Sequence, residues 1–224
     1  AYNEELNIKN TIQDIINNTN YDYIVINDCS KDKTEAKCIE EKFNVLTLPI
    51  NYGLTSGIQI GMKYAEKNNY DVVIQFDGDG QHNAKYLKRI VDYMCENKCD
   101  IVIGSRFVNR KKPFSARMIG SRVISFAIKL VTGKKISDPT SGMRAYNKKA
   151  IKEFCENASL TPEPDTIVYM FKKKRKIKEV QVDMKEREFG ESYFNPIKSA
   201  TYMINVFCSI IFIRSFTKKN KEEK

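Results

Sequence analysis

A single histidine, His82, occurs in the 224 residues, and that scarcity limits the chemistry available. The six cysteines, Cys29, Cys38, Cys95, Cys99, Cys155 and Cys208, show no paired metal spacing. Cys95 and Cys99 fall one helical turn apart with only one histidine in the whole chain, which argues against zinc. They read instead as reduced thiols of a cytosolic protein. No stretch reads as a signal peptide. No apolar run approaches the roughly 20 residues needed to span a bilayer. Internal repeats, low-complexity linkers and recognised nucleic-acid motifs are also missing.

What the chain does have is length for one domain, or one domain with an appendage, and enough residues to bury a full core. Its net charge is +10, which implies an anionic partner: a nucleotide, a phospholipid surface or a nucleic acid. A basic nucleic-acid module is the reading from a different class. The lysines are dispersed, however, and a convergent acidic pair would repel phosphates without a metal. The opening, Ala1-Tyr2-Asn3-Glu4-Glu5, reads as a loop entering a helix, which predicts a strand before it.

That acidic pair lies in Gln75-Phe76-Asp77-Gly78-Asp79-Gly80-Gln81-His82. A short β-branched run, Val72 to Phe76, reads as a buried strand, and the two glycines read as the turn that ends it. Residues i and i+2 of an extended backbone point the same way, so Asp77 and Asp79 can converge on one cation. All-oxygen donors suit Mg2+ or Mn2+. As an isolated string this is a turn; at a strand exit in an α/β pattern it is a ligand site.

The pattern is α/β. Helical spacing marks Asn3 to Asn17, Lys33 to Lys42, the stretch from Ile58 through Ala65, that from Leu87 through Met94, Ser121 to Thr132 and Asn147 to Asn157. Strands are expected at Tyr23 to Asn27, Asn44 to Leu48, Val72 to Phe76, Ile101 to Gly104, Met143 to Tyr146 and Glu179 to Met184. Such alternation predicts a Rossmann-like, mostly parallel sheet with helices on both faces. Phe107 to Ser115 reads as a basic loop, Thr161 to Asp165 as a rigid acidic loop, and Lys172 to Lys178 as a basic run. Residues 1–198 form the expected catalytic domain. Residues 199–224 form a membrane-associating segment, in which Ser199 to Ile213 is apolar over 15 residues and a lysine-rich tail follows. Aromatic and basic flanks suit an interfacial amphipathic helix, and packing against the core is the equal alternative.

Taken in order, the motifs resemble the inverting glycosyltransferases of family 2, over nearly the whole chain. Tyr2-Asn3-Glu4-Glu5, Asn27-Asp28-Cys29-Ser30-Lys31-Asp32-Lys33-Thr34, Asn51-Tyr52-Gly53 with Gly57 and Gly61, and Asp77-Gly78-Asp79 are similar to its nucleotide and metal motifs. Gln81-His82, Gly104-Ser105-Arg106, Asp138-Pro139-Thr140-Ser141-Gly142, and Arg187 with Gly190 and Ser192 resemble the branch of dolichol-phosphate mannose synthases and bacterial polyprenyl-phosphate glycosyltransferases. Two positions depart from the pattern: Asn27 replaces the usual first acid, and Cys29 stands where glycine is common.

The resemblance implies a GT-A fold, with a UDP- or GDP-linked sugar held by Ala1, Tyr2, Glu4, Asp28, Asn51, Gly53, Asp77 and Gly78. Asp77, Asp79 and Gln81 would hold the metal across the diphosphate, and Arg187 would clamp phosphate. The acceptor implied is a polyprenyl phosphate, aligned by Arg106, Arg117 and Arg122. An ionised phosphate needs no base. A saccharide hydroxyl, the alternative acceptor, would need one, and Glu163 or Asp165 sits where hydroxyl-directed members carry it. A catalytically dead relative is disfavoured by the intact acidic pair. The expected location is the inner face of the membrane, peripheral and cytoplasmic. Whether a small membrane protein acts beside the enzyme stays open, and no nucleic-acid partner is expected.

Overall fold

The computed structural model describes residues 1–185, 189 and 196–213, the side chains of 116, 117, 196–200 and 213 excepted. Helix α1 (Ile8–Asn18) leads to β1 (Val25–Asn27), α2 (Thr34–Glu40), β2 (Val45–Thr47), α3 (Leu54–Lys67) and β3 (Val72–Gln75). Then come α4 (Leu87–Glu96), β4 (Ile101–Ser105), α5 (Ala116–Thr132), β5 (Arg144–Asn147) and α6 (Lys148–Glu156). The chain continues with α7 (Pro164–Lys172), β6 (Ile177–Gln181) and α8 (Pro196–Cys208), which runs into a π-helical turn at Ser209–Ile213.

β1 and β2 pair in parallel, Val25 opposite Val45. The other four strands run in the order β3-β5-β4-β6. β4 and β6 are parallel, whereas β5 is inserted antiparallel to both β3 and β4. Ala1 bridges the two groups. Its nitrogen donates to the Ile26 carbonyl, its own carbonyl accepts from Asp28 N–H, and its methyl faces Gly78 at the exit of β3. The α/β expectation therefore holds, with one reversed strand among the parallel ones.

β4 is buried on both faces, and its alternation explains the layers. Ile101 and Ile103 join Ile124 and Ile128 of α5, Phe154 of α6 and Val168 of α7 on one side. Val102 meets Ile90 and Met94 of α4 on the other. A third cluster packs Ile8, Ile12 and Ile15 of α1 against Val25 and Cys38. α8 lies along α5 and sends Val206 and Ile210 into the first cluster.

Two local expectations change. The first helix starts at Ile8, because Asn3 is left-handed, with φ +54°, and Glu4 closes a turn through its carbonyl to Asn7 and Ile8. The acidic stretch is a helix start: Pro164 occupies the first position of α7, where its missing N–H costs nothing. Pro164 to Met170 are all buried, Asp165 and Thr166 included, so the run lacks the exposed polar face of a surface helix.

Candidate active site

The site is assembled at the carboxyl ends of β1 and β3, where open α/β sheets collect ligands. The first two motifs brace each other across the sheet edge. Asn3 N–H donates to Ser30 Oγ, and Asn3 Oδ1 accepts from Lys31 N–H. Glu4 N–H donates to Thr34 Oγ1 at 2.8 Å, and Glu5 N–H to Asp32 Oδ2 at 3.0 Å. The Glu4 side chain is buried and accepts from Asn7 Nδ2 at 2.7 Å. Tyr2 is half-buried beside it.

Asp28 is spent on building the third motif. Its two carboxylate oxygens accept from the N–H groups of Tyr52 and Gly53, each at 2.8 Å, and Asn51 Nδ2 donates to its carbonyl. Gly53 caps α3 with φ +82°, a conformation that favours glycine. Asn27 is wholly buried. It donates to Thr47 Oγ1 on β2 and accepts from Ser30 N–H and Oγ. An amide supplies both roles and an ionised carboxylate could not donate, so the departure from an acid has a structural use.

Asp77 is gripped from three sides. His82 Nε2 lies 3.0 Å from its Oδ2, and the imidazole is buried against Phe76. Gln75 hydrogen-bonds it as well, and Gln75 Oε1 also accepts from Tyr146 OH. Gly142 backs it so closely that a Cβ there would sit 2.1 Å from Oδ2. Burial pushes the Asp77 carboxyl upward, but the hydrogen bond and attraction of His82, together with the Ala1 ammonium and Gln75, hold the group below the ordinary carboxylate range. Asp79 Oδ1 accepts from Gln81 N–H, and Asp79 borders a small cavity with Thr11 and Lys185. Among the described residues no three His, Cys, Asp or Glu side chains gather as a metal cluster.

The late arginine, Arg187, lies outside the described residues. The chain on either side of it is tied to the site: Lys185 N–H donates to the Gln81 carbonyl, and Asn7 Nδ2 donates to the Phe189 carbonyl.

The three arginines expected to align the acceptor stand in different surroundings. Arg106 is committed to Asp138, with Nε and Nη2 on its two oxygens at 2.7 and 2.8 Å and its own N–H on Oδ2. Asp138 is fully buried, so this pair fastens the 138–142 turn to β4 and commits two of the guanidinium nitrogens to that carboxylate. The Arg117 side chain lies outside the described residues. Arg122 donates through Nη2 to the carbonyls of Lys112 and Pro113, and its Nη1 is buried without a partner among the described residues.

Sequence reasoning missed Lys112. Its Nζ is half-buried and donates to Ser121 Oγ at 2.8 Å and Ser125 Oγ at 3.2 Å, both on α5. Burial lowers its pKa, with Arg106 and Arg122 adding to that effect against Asp138 and Glu179. The signal was the basic loop itself, from which the sequence alone singles out no lysine.

Glu163 and Asp165 turn toward the C-terminal helix. Glu163 accepts from Tyr202 OH, and Asp165 Oδ2 from Ser209 Oγ at 2.8 Å. Burial raises the Glu163 carboxyl, opposed by Tyr202 and Arg144.

The sheet edge thus interlocks the four motifs that resemble those of family 2 glycosyltransferases around Asp77 and Asp79. Residues 1–155 match the profile of Glycosyl transferase family 2, and the chain belongs to that family. It is a glycosyltransferase. Glu163, Asp165 and Arg187 fall beyond the matched span. Among curated proteins, the chain is similar to the UDP-N-acetylglucosamine–dolichyl-phosphate N-acetylglucosaminyltransferase of Methanococcus voltae. Identity there is 29% over 178 residues, covering 70% of each chain. It is also similar to the undecaprenyl-phosphate mannosyltransferase of Micrococcus luteus, 29% identical over 76% of this chain and 74% of that one. Its fold matches a crystal structure of glucosyl-3-phosphoglycerate synthase from Mycobacterium tuberculosis in complex with Mn2+ and UDP-glucose. The TM-score is 0.67 at 17% identity, covering 94% of this chain and 76% of that one. That likeness supports the GT-A fold.

Proposed function

We propose that this glycosyltransferase moves a sugar from a nucleotide sugar to a polyprenyl phosphate, with inversion, at the cytosolic surface of a membrane. One observation carries the acceptor half. Lys112 and Arg122 form a half-buried cationic pair whose hydrogen bonds go to hydroxyls and carbonyls, with Asp138 and Glu179 acting on Lys112 only from beyond hydrogen-bond contact. A desolvated ammonium and a buried Nη1 without a partner call for an anion. α5 supplies both the serines beside that pair and an apolar flank for a hydrocarbon tail. The polyprenyl-phosphate activities for which the M. voltae and M. luteus relatives are named agree with this reading.

The donor half rests on Asp77 and Asp79. Two carboxylates with the Gln81 side-chain oxygen would supply an all-oxygen set of the kind that suits Mg2+ or Mn2+, and the lowered pKa of Asp77 favours its ionised form. With no third acid gathered there among the described residues, diphosphate oxygens and water would fill the remaining positions. The cation, when bound, neutralises the departing nucleoside diphosphate. His82 and Gly142 fix the direction of Asp77, and Asp28 shapes the loop at 51–53 over the nucleotide. Lys112 and Arg122 align the acceptor. An oxygen of its phosphate bonds the anomeric carbon as the bond from that carbon to the diphosphate breaks. The electron pair leaves with the nucleoside diphosphate. The attacking oxygen carries no proton, so Glu163 and Asp165 are free to hold α8.

The test offers labelled UDP- and GDP-sugars with Mn2+ or Mg2+ and undecaprenyl or dolichyl phosphate in detergent, and counts label in the organic phase. Metal-dependent label is expected, lost in Asp79→Ala. It should be reduced about 10- to 100-fold in kcat/KM in Lys112→Met, the weight of one charge-assisted contact. Absence of lipid label, with metal-dependent release of nucleoside diphosphate when saccharides are added, would move the acceptor to a hydroxyl.

A further inference from the structure

Helix α5 is apolar on two opposite faces. Ile124, Ala127 and Ile128 point inward and are fully buried. Ile119, Val123, Phe126 and Leu130 recur at spacings of four, three and four, which at about 100° per residue places them within roughly 60° of one another on the outer face. They are 45, 45, 64 and 67% exposed, and Phe114, just ahead of the helix, is 90% exposed. A helix on a water-facing surface turns its polar side outward. This one does the reverse, over almost its full length.

The charge around that face has one sign. No Asp or Glu occurs between Asp100 and Asp138. Lys111, Lys129, Lys134 and Lys135 in that interval are exposed and have no carboxylate partner among the described residues. A second copy docked on the same face would oppose lysine to lysine, since a two-fold interface pairs a patch with itself. An anionic bilayer complements both features: acyl chains for the aromatic and aliphatic side chains, headgroups for the ammonium groups.

We propose that the outer face of α5, together with Phe114, inserts into the headgroup–acyl boundary of an anionic membrane. The proposal rests on the lipid-phosphate reading and deepens it. Insertion would bring the Lys112–Arg122 pair, built on the same helix, to the depth of a lipid phosphate. The C-terminal segment divides its apolar side chains: Val206 and Ile210 turn into the core, whereas Ile204 and Phe212 are exposed.

The experiment is flotation of the 224-residue chain with phosphatidylglycerol-containing vesicles and with neutral phosphatidylcholine vesicles. It is run on the wild type, on Phe126→Glu/Leu130→Glu and on Phe114→Ser, alongside transfer to detergent-solubilised lipid phosphate. Salt-sensitive binding to anionic vesicles is expected, falling about tenfold or more in the double variant and less in Phe114→Ser. In the double variant melting temperature and transfer in detergent should hold, because Phe126 and Leu130 face solvent; Phe114 also lies over the Arg122 guanidinium, so Phe114→Ser is read by flotation alone. Undiminished flotation of the double variant overturns the proposal. So does a wild type that transfers in detergent but ignores anionic vesicles. A dimer that the double variant dissolves, with vesicle binding unchanged, would give the face to a second copy and overturn it equally. If the wild type floats, the variant does not, and no lipid phosphate is glycosylated, the membrane face stands and the acceptor reading falls.

Discussion

Replacing Gly142 with alanine should separate activity from folding. The added Cβ would lie 2.1 Å from Asp77 Oδ2 and 3.0 Å from its Cγ. Restoring ordinary contact requires a displacement of about 1.3 Å. The backbone of the 138–142 turn is fastened by the Arg106–Asp138 pair and by Ser141 Oγ donating to the Gly104 carbonyl. The carboxylate is the part that yields, and it must leave the position fixed by His82. Metal–ligand distances tolerate only about ±0.2 Å, and a misplacement of about 1 Å in a reacting constellation costs on the order of 100-fold in rate. The overpacking itself costs about 1–3 kcal/mol, which at this chain length lowers Tm by about 2–4 °C for each kcal/mol. We therefore expect kcat/KM to fall about 100-fold and Mn2+ affinity, followed by its electron paramagnetic resonance signal, to weaken at least about tenfold, in a protein that still melts cooperatively. In a His82→Ala background the carboxylate is free to turn, so the same change should cost less, a coupling that a double-mutant cycle reads directly. A Gly142→Ala enzyme within about threefold of wild type at equal metal would refute the steric reasoning.

Cys29 holds φ +55° without a glycine, so Cys29→Gly should relieve left-handed strain and raise stability by about 1 kcal/mol, seen as an upward shift in the urea midpoint; an unchanged or lowered midpoint counts against it. Glu163→Gln tests a carboxyl whose pKa burial raises in the folded state. The folded protein binds that proton at pH values where the unfolded chain has released it, so wild-type stability falls as pH rises from the ordinary carboxylate range through the folded pKa. Glutamine has no such loss, and the variant should gain on wild type across that window in thermal melts. A constant difference from acid to neutral pH would contradict the assignment. The same variant should keep lipid-phosphate transfer within about fivefold, since that step removes no proton, whereas a general base would cost more, about 100-fold or beyond.

What could be read from the chain was whatever its neighbours encode. The period of Ile8, Ile12 and Ile15 and the β-branched run ahead of Asp77 are local signals, and the helix and strand formed there. The interlocked motifs at Asn3, Ser30 and Asp28 were legible as strings, though not as a brace. The failures share one cause. Pro164 to Met170 is buried on every side, so its period carries no polar face to betray a helix. β5 runs antiparallel because of where the chain re-enters the sheet, which no residue of Arg144–Asn147 specifies.

Arg106 makes the point most sharply. Its type, spacing and basic company all suited a phosphate, and only the tertiary fold brings Asp138 to two of its three guanidinium nitrogens. Lys112, six residues on in the same basic loop, looked no different and ends beside two serines, with Asp138 and Glu179 beyond hydrogen-bond contact. Which cation stays available to a ligand is decided by where the carboxylates fall, and that is a property of the packed chain. The acceptor chemistry of this glycosyltransferase is therefore best tested at Lys112 and Arg122. At Arg106, substitution would strip a fully buried carboxylate of its partner and unfold the turn that positions Gly142, so lost activity there would report on the turn and leave the phosphate contact unexamined.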